Sequence, residues 1–118
     1  MKKLIAMLGL GLGCTLVASG VAQAAGNIDA GKALTEKYAC FSCHGKDFNS
    51  PIDPSYPKLA GQHKDYLEHA LKAYKRGDVA NGRSNAIMTG QVKPLSDQDI
   101  KDLAAYLHSL PGNLATHR

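Results

Sequence analysis

Apolar residues recur along this chain at helical steps. Ile28, Gly31, Leu34 and Tyr38 follow one another at three- and four-residue spacing, with Asn27 or Asp29 placed to cap the start. Residues 28–39 are therefore expected to form an amphipathic helix that runs straight into Cys40. A second stripe, Tyr66, Leu67, Ala70, Leu71 and Tyr74, predicts a helix over 64–76, with Lys75 and Arg76 suited to its last turn and Gly77 to its stop. A third starts at Ser96-Asp97-Gln98-Asp99, which reads as a capping box with Asp in the third position. It continues through Ile100, Leu103, Ala104, Leu107 and Leu110 and ends at Pro111-Gly112. No run of β-branched or aromatic residues alternates with polar ones between turn signals, so no sheet is expected.

The segments between these helices have another character. Pro51, Pro54 and Pro57, with Asn49, Ser50 and Asp53, deny residues 45–61 both helix continuity and strand pairing. Residues 77–94, with Asn81, Gly82, Asn85 and Gly90, are likewise expected to be loop, and they contain Met88. Three short helices and two such loops offer too little apolar surface to fix one structure, and loops of this length inside a small domain are uncommon unless they serve a site. Something apolar and rigid is expected beyond the polypeptide.

Composition separates the first 25 residues from the rest. Met1-Lys2-Lys3 is a short positive start, Leu4 to Val17 is apolar, and Ala22-Gln23-Ala24 has the small-x-small form that a signal peptidase accepts. The uncharged stretch from Leu4 to Ala25 is long enough to span a bilayer. Gly9, Gly11, Gly13, Ser19, Gly20 and Gln23 make it a poor membrane helix. Residues 1–24 are expected to be a cleaved signal peptide and 25–118 one domain, with no stable membrane insertion after cleavage. Of 14 basic and 10 acidic residues, only Lys2 and Lys3 precede Gly26, so the mature part is nearly balanced. It has no basic run and no aromatic–basic interleaving, which excludes nucleic acid as the expected partner.

Cys14 leaves with the signal, so two cysteines remain, both in Cys40-Phe41-Ser42-Cys43-His44. Two thiols three residues apart at a helix end can add to the two vinyl groups of haem, and the adjacent imidazole then ligates the iron. The same spacing occurs in redox dithiols and in half of a zinc site. The first expects βαβ surroundings and the second another paired ligand group, whereas this chain offers isolated His63, His69, His108 and His117. One covalently bound haem c (iron) per chain is the expectation. Met1 and Met7 also lie in the signal, which leaves Met88 as the mature chain's one thioether and the candidate for the second axial position, with His63 or another histidine competing.

With these residues in place, the chain resembles the class I c-type cytochromes, in particular the small single-haem c553 type and one half of a dihaem cytochrome c4, over about residues 27–111. The resemblance implies a small all-α fold of three to five short helices and long loops around the haem. The N- and C-terminal helices would cross at Gly31, with Leu34 and Tyr38 against Leu103, Tyr106 or Leu107. It further implies that Tyr56-Pro57-Lys58-Leu59-Ala60-Gly61 is the loop whose Pro57 carbonyl accepts a hydrogen bond from His44, and that Leu59 packs on the haem. Asn85-Ala86-Ile87-Met88 would carry the ligand, and Pro94-Leu95-Ser96 would open the last helix. One departure is plain: cytochrome c4 has two attachment motifs and this chain has one.

His44 and Met88 on both axial positions would leave no open iron site for a substrate. That points to a periplasmic one-electron carrier rather than an enzyme, a monomer that docks transiently with redox partner proteins of a respiratory chain or another pathway. Lys46, Lys58, Lys64 and Lys93 are candidates to steer an acidic partner, or ordinary solvated lysines. Arg83, Gln62, Tyr66 and Tyr74 are unranked candidates for partners of the haem carboxylates. A labile Met88 would give instead a haem-based ligand sensor or a small peroxidase-like enzyme, and a thiol–disulfide oxidoreductase built on Cys40 and Cys43 would be colourless.

Overall fold

Helix caps written into the sequence set most of the boundaries. The computed structural model describes residues 25–113 and, ahead of them, Gly9 and Gly11. The other positions of the expected signal peptide, and His117, lie outside the described residues. Five helices follow in order: α1 Ile28–Lys37, α2 Phe41–His44, α3 Lys64–Arg76, α4 Ala86–Val92 and α5 Asp97–Ser109. No strand occurs among the described residues, and no helix there is long and apolar enough to cross a membrane.

Asn27, rather than Asp29, caps α1, its side-chain oxygen accepting from the Ala30 N–H at 2.9 Å. The capping box of α5 is complete: Ser96 Oγ accepts from the Asp99 N–H at 3.0 Å, and Asp99 Oδ2 from the Ser96 N–H at 2.8 Å. Helix α3 spans the expected residues and stops at Gly77, whose φ of 72° is open to glycine.

Two expectations need correction. Residues 77–94 are not all loop, because Asn85 caps a two-turn helix over Ala86–Val92, its Oδ1 accepting from the Met88 N–H at 2.9 Å. Gly90 masked that helix in the sequence. Nor does α1 reach residue 39. It closes at Lys37 in a Schellman motif, with Ala39 at φ 49° donating to the Glu36 carbonyl and Cys40 to the Thr35 carbonyl. The apolar face of α1 is also rotated from the sequence stripe: Gly31 and Thr35 are buried, whereas Ile28 is 49% exposed.

Helix α1 crosses α5, and α3 packs on both α4 and α5. The apolar side chains form two clusters. Phe48, Ala60, Leu67, Ala104 and Leu107 make one, with Tyr106 meeting Phe48 edge-on at 6.1 Å. Val92, Leu95, Ile100 and Leu103 make the other, joined by Leu34 and Tyr38. Leu34 and Tyr38 therefore sit with Leu103, while Tyr106 belongs to the opposite cluster. Between the clusters is a cavity.

Candidate cofactor site

The cavity has two adjoining lobes, with about 680 and 960 Å³ of empty space, open mouths included. Cys43, His44, Leu59 and Met88 line both lobes, Cys40 the first and Pro57 the second. All six residues singled out in the sequence are thus brought to one space by four different segments.

Each is placed by local structure. The Schellman turn after α1 delivers Cys40, and the single turn of α2 carries Cys43 and His44. Gly45, at φ 87°, then turns the chain away, lying so close to the Ser50 carbonyl that a β-carbon there would overlap it. The proline loop is fixed from behind by Phe48, whose carbonyl accepts from the N–H groups of Leu59 at 2.8 Å and Ala60 at 2.9 Å. That positions Pro57, whose carbonyl lies 2.9 Å from His44 Nδ1. A carbonyl can only accept, so Nδ1 carries a proton, and in the neutral ring this leaves the lone pair on Nε2, the tautomer a metal ligand requires. His44 is buried, with the Tyr56 ring tilted beside it at 6.4 Å.

Cys40 and Cys43 are both half-buried thiols with no disulfide. Burial pushes the Cys40 thiol above its ordinary range; a backbone hydrogen bond offsets part of this, and the nearby Cys43 adds to the rise. A reactive redox dithiol needs the opposite shift. Among the described histidines, only His44 lines the cavity. His63, His69 and His108 are exposed, with His108 Nδ1 2.8 Å from the Gln62 carbonyl oxygen.

The lobes differ in chemistry. The first is closed by Leu95, Val92 and Leu103, with Thr35 and Gln91 as minor polar contributors. The second carries Lys58, Gln62, Tyr66, Tyr74 and Arg83. Hydrogen bonding to Tyr66, outweighing partial burial and aided by Tyr74, raises the Arg83 pKa further above the physiological range. Of the four lysines considered in the sequence, Lys58 alone lines the cavity. Thr35 and Val92 were missed by the sequence reading. Thr35 stands four residues after Gly31 and Val92 four after Met88, so a helical step from a recognised residue would have found each.

The chain belongs to the cytochrome c family, as a class I c-type cytochrome of the c4 group: residues 28–111 match the family described as Cytochrome c. It is similar to cytochrome c4 of Stutzerimonas stutzeri, 43% identical over 97% of this chain and 53% of that protein. Cytochrome c-554(548) of Halomonas halodenitrificans is 46% identical over 59% of this chain and 82% of its own length. The crystal structure of reduced recombinant cytochrome c4 from Pseudomonas stutzeri superposes with a TM-score of 0.66 at 41% identity, over 76% of this chain and 48% of that one. The chain thus spans about half the length of the cytochrome c4 relatives it matches.

The family's cofactor is covalently bound haem c, and the site fits it. The cavity is large, mostly apolar and bordered by both thiols, the lone-pair nitrogen of His44 belongs to a buried ring, and a thioether lines the same space.

Proposed function

We propose that this protein is a one-electron carrier of the periplasm. Cys40 and Cys43 would hold the haem, His44 and Met88 would be its axial ligands, and residues 1–24 would be the signal that exports the chain. When bound, haem supplies reversible one-electron transfer at its iron. The chain's own residues do the rest. The Pro57 carbonyl keeps the His44 proton on Nδ1, so the imidazole presents its basic nitrogen without rotating. Asn85 holds the first turn of α4, from which Met88 enters the cavity beside Val92 and Leu95. Leu59, Leu71 and Leu107 line both lobes and exclude water, which lowers the local dielectric and tunes the potential.

The observation that carries this reading is that one imidazole and one thioether reach the same apolar cavity from separate elements. Two protein ligands leave no position for a substrate, hence a carrier and not an enzyme. Its redox partners would meet it in small, short-lived contacts. The test is an optical spectrum of the exported protein, ferric and then dithionite-reduced, with haem staining on a denaturing gel. Gel-stable haem with the ferric sulfur-to-iron band is expected. Immediate binding of carbon monoxide by the ferrous protein, without that band, would replace the carrier with the sensor or peroxidase-like alternative.

A further inference from the structure

We infer that Lys75 and Arg76, adjacent cations in the last turn of α3, clasp the two ends of the segment that carries Met88 and so set how readily that thioether gives up its axial position. The inference rests on Met88 being the second axial ligand, as proposed above. Basic residues at a helix C-terminus ordinarily answer the helix dipole, which is all the sequence suggests for this pair. The structure gives each of them a specific partner further along the chain. Arg76 donates from Nε and one terminal nitrogen to the Asn81 carbonyl, at 3.0 and 2.7 Å, near the start of the segment. Lys75 donates from Nζ to the Leu95 carbonyl, at its end. The chain thus leaves α3 at Gly77 and is tied back to the same turn at Leu95, with α4 and Met88 between the two grips.

Helix α4 has only two turns and takes its position from what it packs on. The Arg83 N–H, ahead of it, donates to the Ala73 carbonyl at 2.9 Å, and Leu71 and Tyr74 of α3 join Met88 in the cluster of Val92 and Leu95. Leu95 is the pivot between α4 and α5. Its side chain is buried and closes the first lobe, its N–H donates to the Val92 carbonyl at 3.0 Å, and Ser96 next to it caps α5. A cation on the Leu95 carbonyl therefore fixes the point about which α4 would swing. For Met88 to leave the iron, α4 has to draw away from Leu71 and Tyr74, and at both ends of the segment that movement is resisted by a charge-assisted hydrogen bond. Lys75 and Arg76 are both exposed, so each grip contributes modestly to the same opening.

The probe is imidazole added to the ferric holoprotein: the bond from the Met88 sulfur to iron breaks and one from the imidazole nitrogen forms, with no change of oxidation state. Its apparent dissociation constant is the intrinsic one divided by the fraction of molecules in which Met88 has left, so a looser segment binds imidazole more tightly. Native protein, Lys75→Gln, Arg76→Gln, Lys75→Arg and a control, Lys72→Gln, are compared by imidazole titration and by denaturant midpoint. Lys72 pairs with Glu68 within α3, at 3.8 Å, so its replacement removes a neighbouring charge and spares both grips. Lys75→Gln and Arg76→Gln should each tighten imidazole binding roughly three- to tenfold, the size of one surface charge-assisted hydrogen bond. Lys75→Arg, which keeps donor and charge, should stay near the native value, and Lys72→Gln should not move. A helix-dipole role alone would lower the denaturant midpoint and leave imidazole affinity unchanged, and that result in Lys75→Gln overturns the inference, as does equal tightening in Lys72→Gln. If Lys75→Gln does not accumulate, an unchanged affinity in Arg76→Gln overturns it. A native protein with covalent haem and no ferric sulfur-to-iron band would instead overturn Met88 as ligand.

Discussion

Gly31 in α1 lies against the main-chain carbonyl of Asp102 in α5, so closely that a β-carbon at Gly31 would overlap that oxygen. The crossing is also tied by one side chain: the Asn27 N–H, at the start of α1, donates to Asp102 Oδ1 at 2.8 Å, and within α5 Gln98 Nε2 donates to the same oxygen at 2.9 Å. Alanine at Gly31 must therefore force the two helices apart. The expected loss is about 1–3 kcal/mol, larger than alanine's intrinsic helical advantage of about 1 kcal/mol. Gly90 in α4 is the control, because a β-carbon there meets nothing within 4 Å. Gly90→Ala should stabilise by about 0.5–1 kcal/mol. Denaturant midpoints of the two holoproteins should move in opposite directions, and a shared direction would refute the close-packing account.

Ala39 occupies the left-handed position of the turn that delivers Cys40, with φ 49°. An L-residue there carries a cost of roughly 1–2 kcal/mol, while glycine has a backbone-entropy cost of about 0.5–1 kcal/mol on folding. Ala39→Gly should accordingly leave stability unchanged or raise it by up to about 1 kcal/mol, and the branched Ala39→Val should lower it by more than about 1 kcal/mol. Thermal unfolding of both variants checks this. A stabilised valine variant would mean the turn has another geometry.

The sequence marked the residues of the cavity more clearly than the backbone that positions them. Cys40, Cys43 and His44 could be singled out because their spacing is local, and Met88 because no other methionine lies beyond the expected signal peptide; the structure brings all four to one cavity. The capping box at Ser96 was legible because both partners lie within four residues. Helix α4 was not. Its stop and start signals are crowded by Gly82 and Gly90, and its stability comes from packing Val92 and Met88 into a cluster with Ile100 and Leu103. The docking of Arg83 on Ala73 is likewise a tertiary fact, with no local pattern to announce it.

Two exposed carboxylates pin the loop between α2 and α3. Asp47 accepts the N–H groups of Asn49 and Ser50, both at 2.9 Å, and Asp53 accepts the Ser55 hydroxyl at 2.6 Å and its N–H at 2.7 Å. These bonds hold both carboxyls below their ordinary range, led by the Asn49 N–H for Asp47 and the Ser55 hydroxyl for Asp53. A folded pKa below the unfolded one adds stability that is fully present above the unfolded value, about 3.9, and is lost as pH falls through the folded value. Asp47→Asn with Asp53→Asn should therefore cost stability at about pH 6 and flatten its decline toward about pH 3. The difference should shrink in high salt, as surface charges are screened. Parallel pH profiles for native and variant proteins would remove these two groups from the acid response.

Met88 has two roles that separate by substitution. Its side chain packs in the cluster of Val92, Leu95, Ile100 and Leu103, and its sulfur is the proposed axial ligand. Met88→Leu keeps the apolar volume and removes the sulfur, so it should cost less than about 1.5 kcal/mol through packing. Met88→Ala removes both, and for a half-buried side chain the expected packing cost is about 1–3 kcal/mol. Both variants should keep gel-stable haem, because the proposed attachment is through Cys40 and Cys43. Both should also lose the ferric sulfur-to-iron band and show a lower potential, since a thioether favours the ferrous state. The drop should fall within the roughly 0.8 V that axial ligands command. Voltammetry on the two variants decides the matter. Equal and lowered potentials would assign the effect to the sulfur, whereas a native potential in Met88→Leu would make Met88 a packing residue and return the second axial position to a histidine.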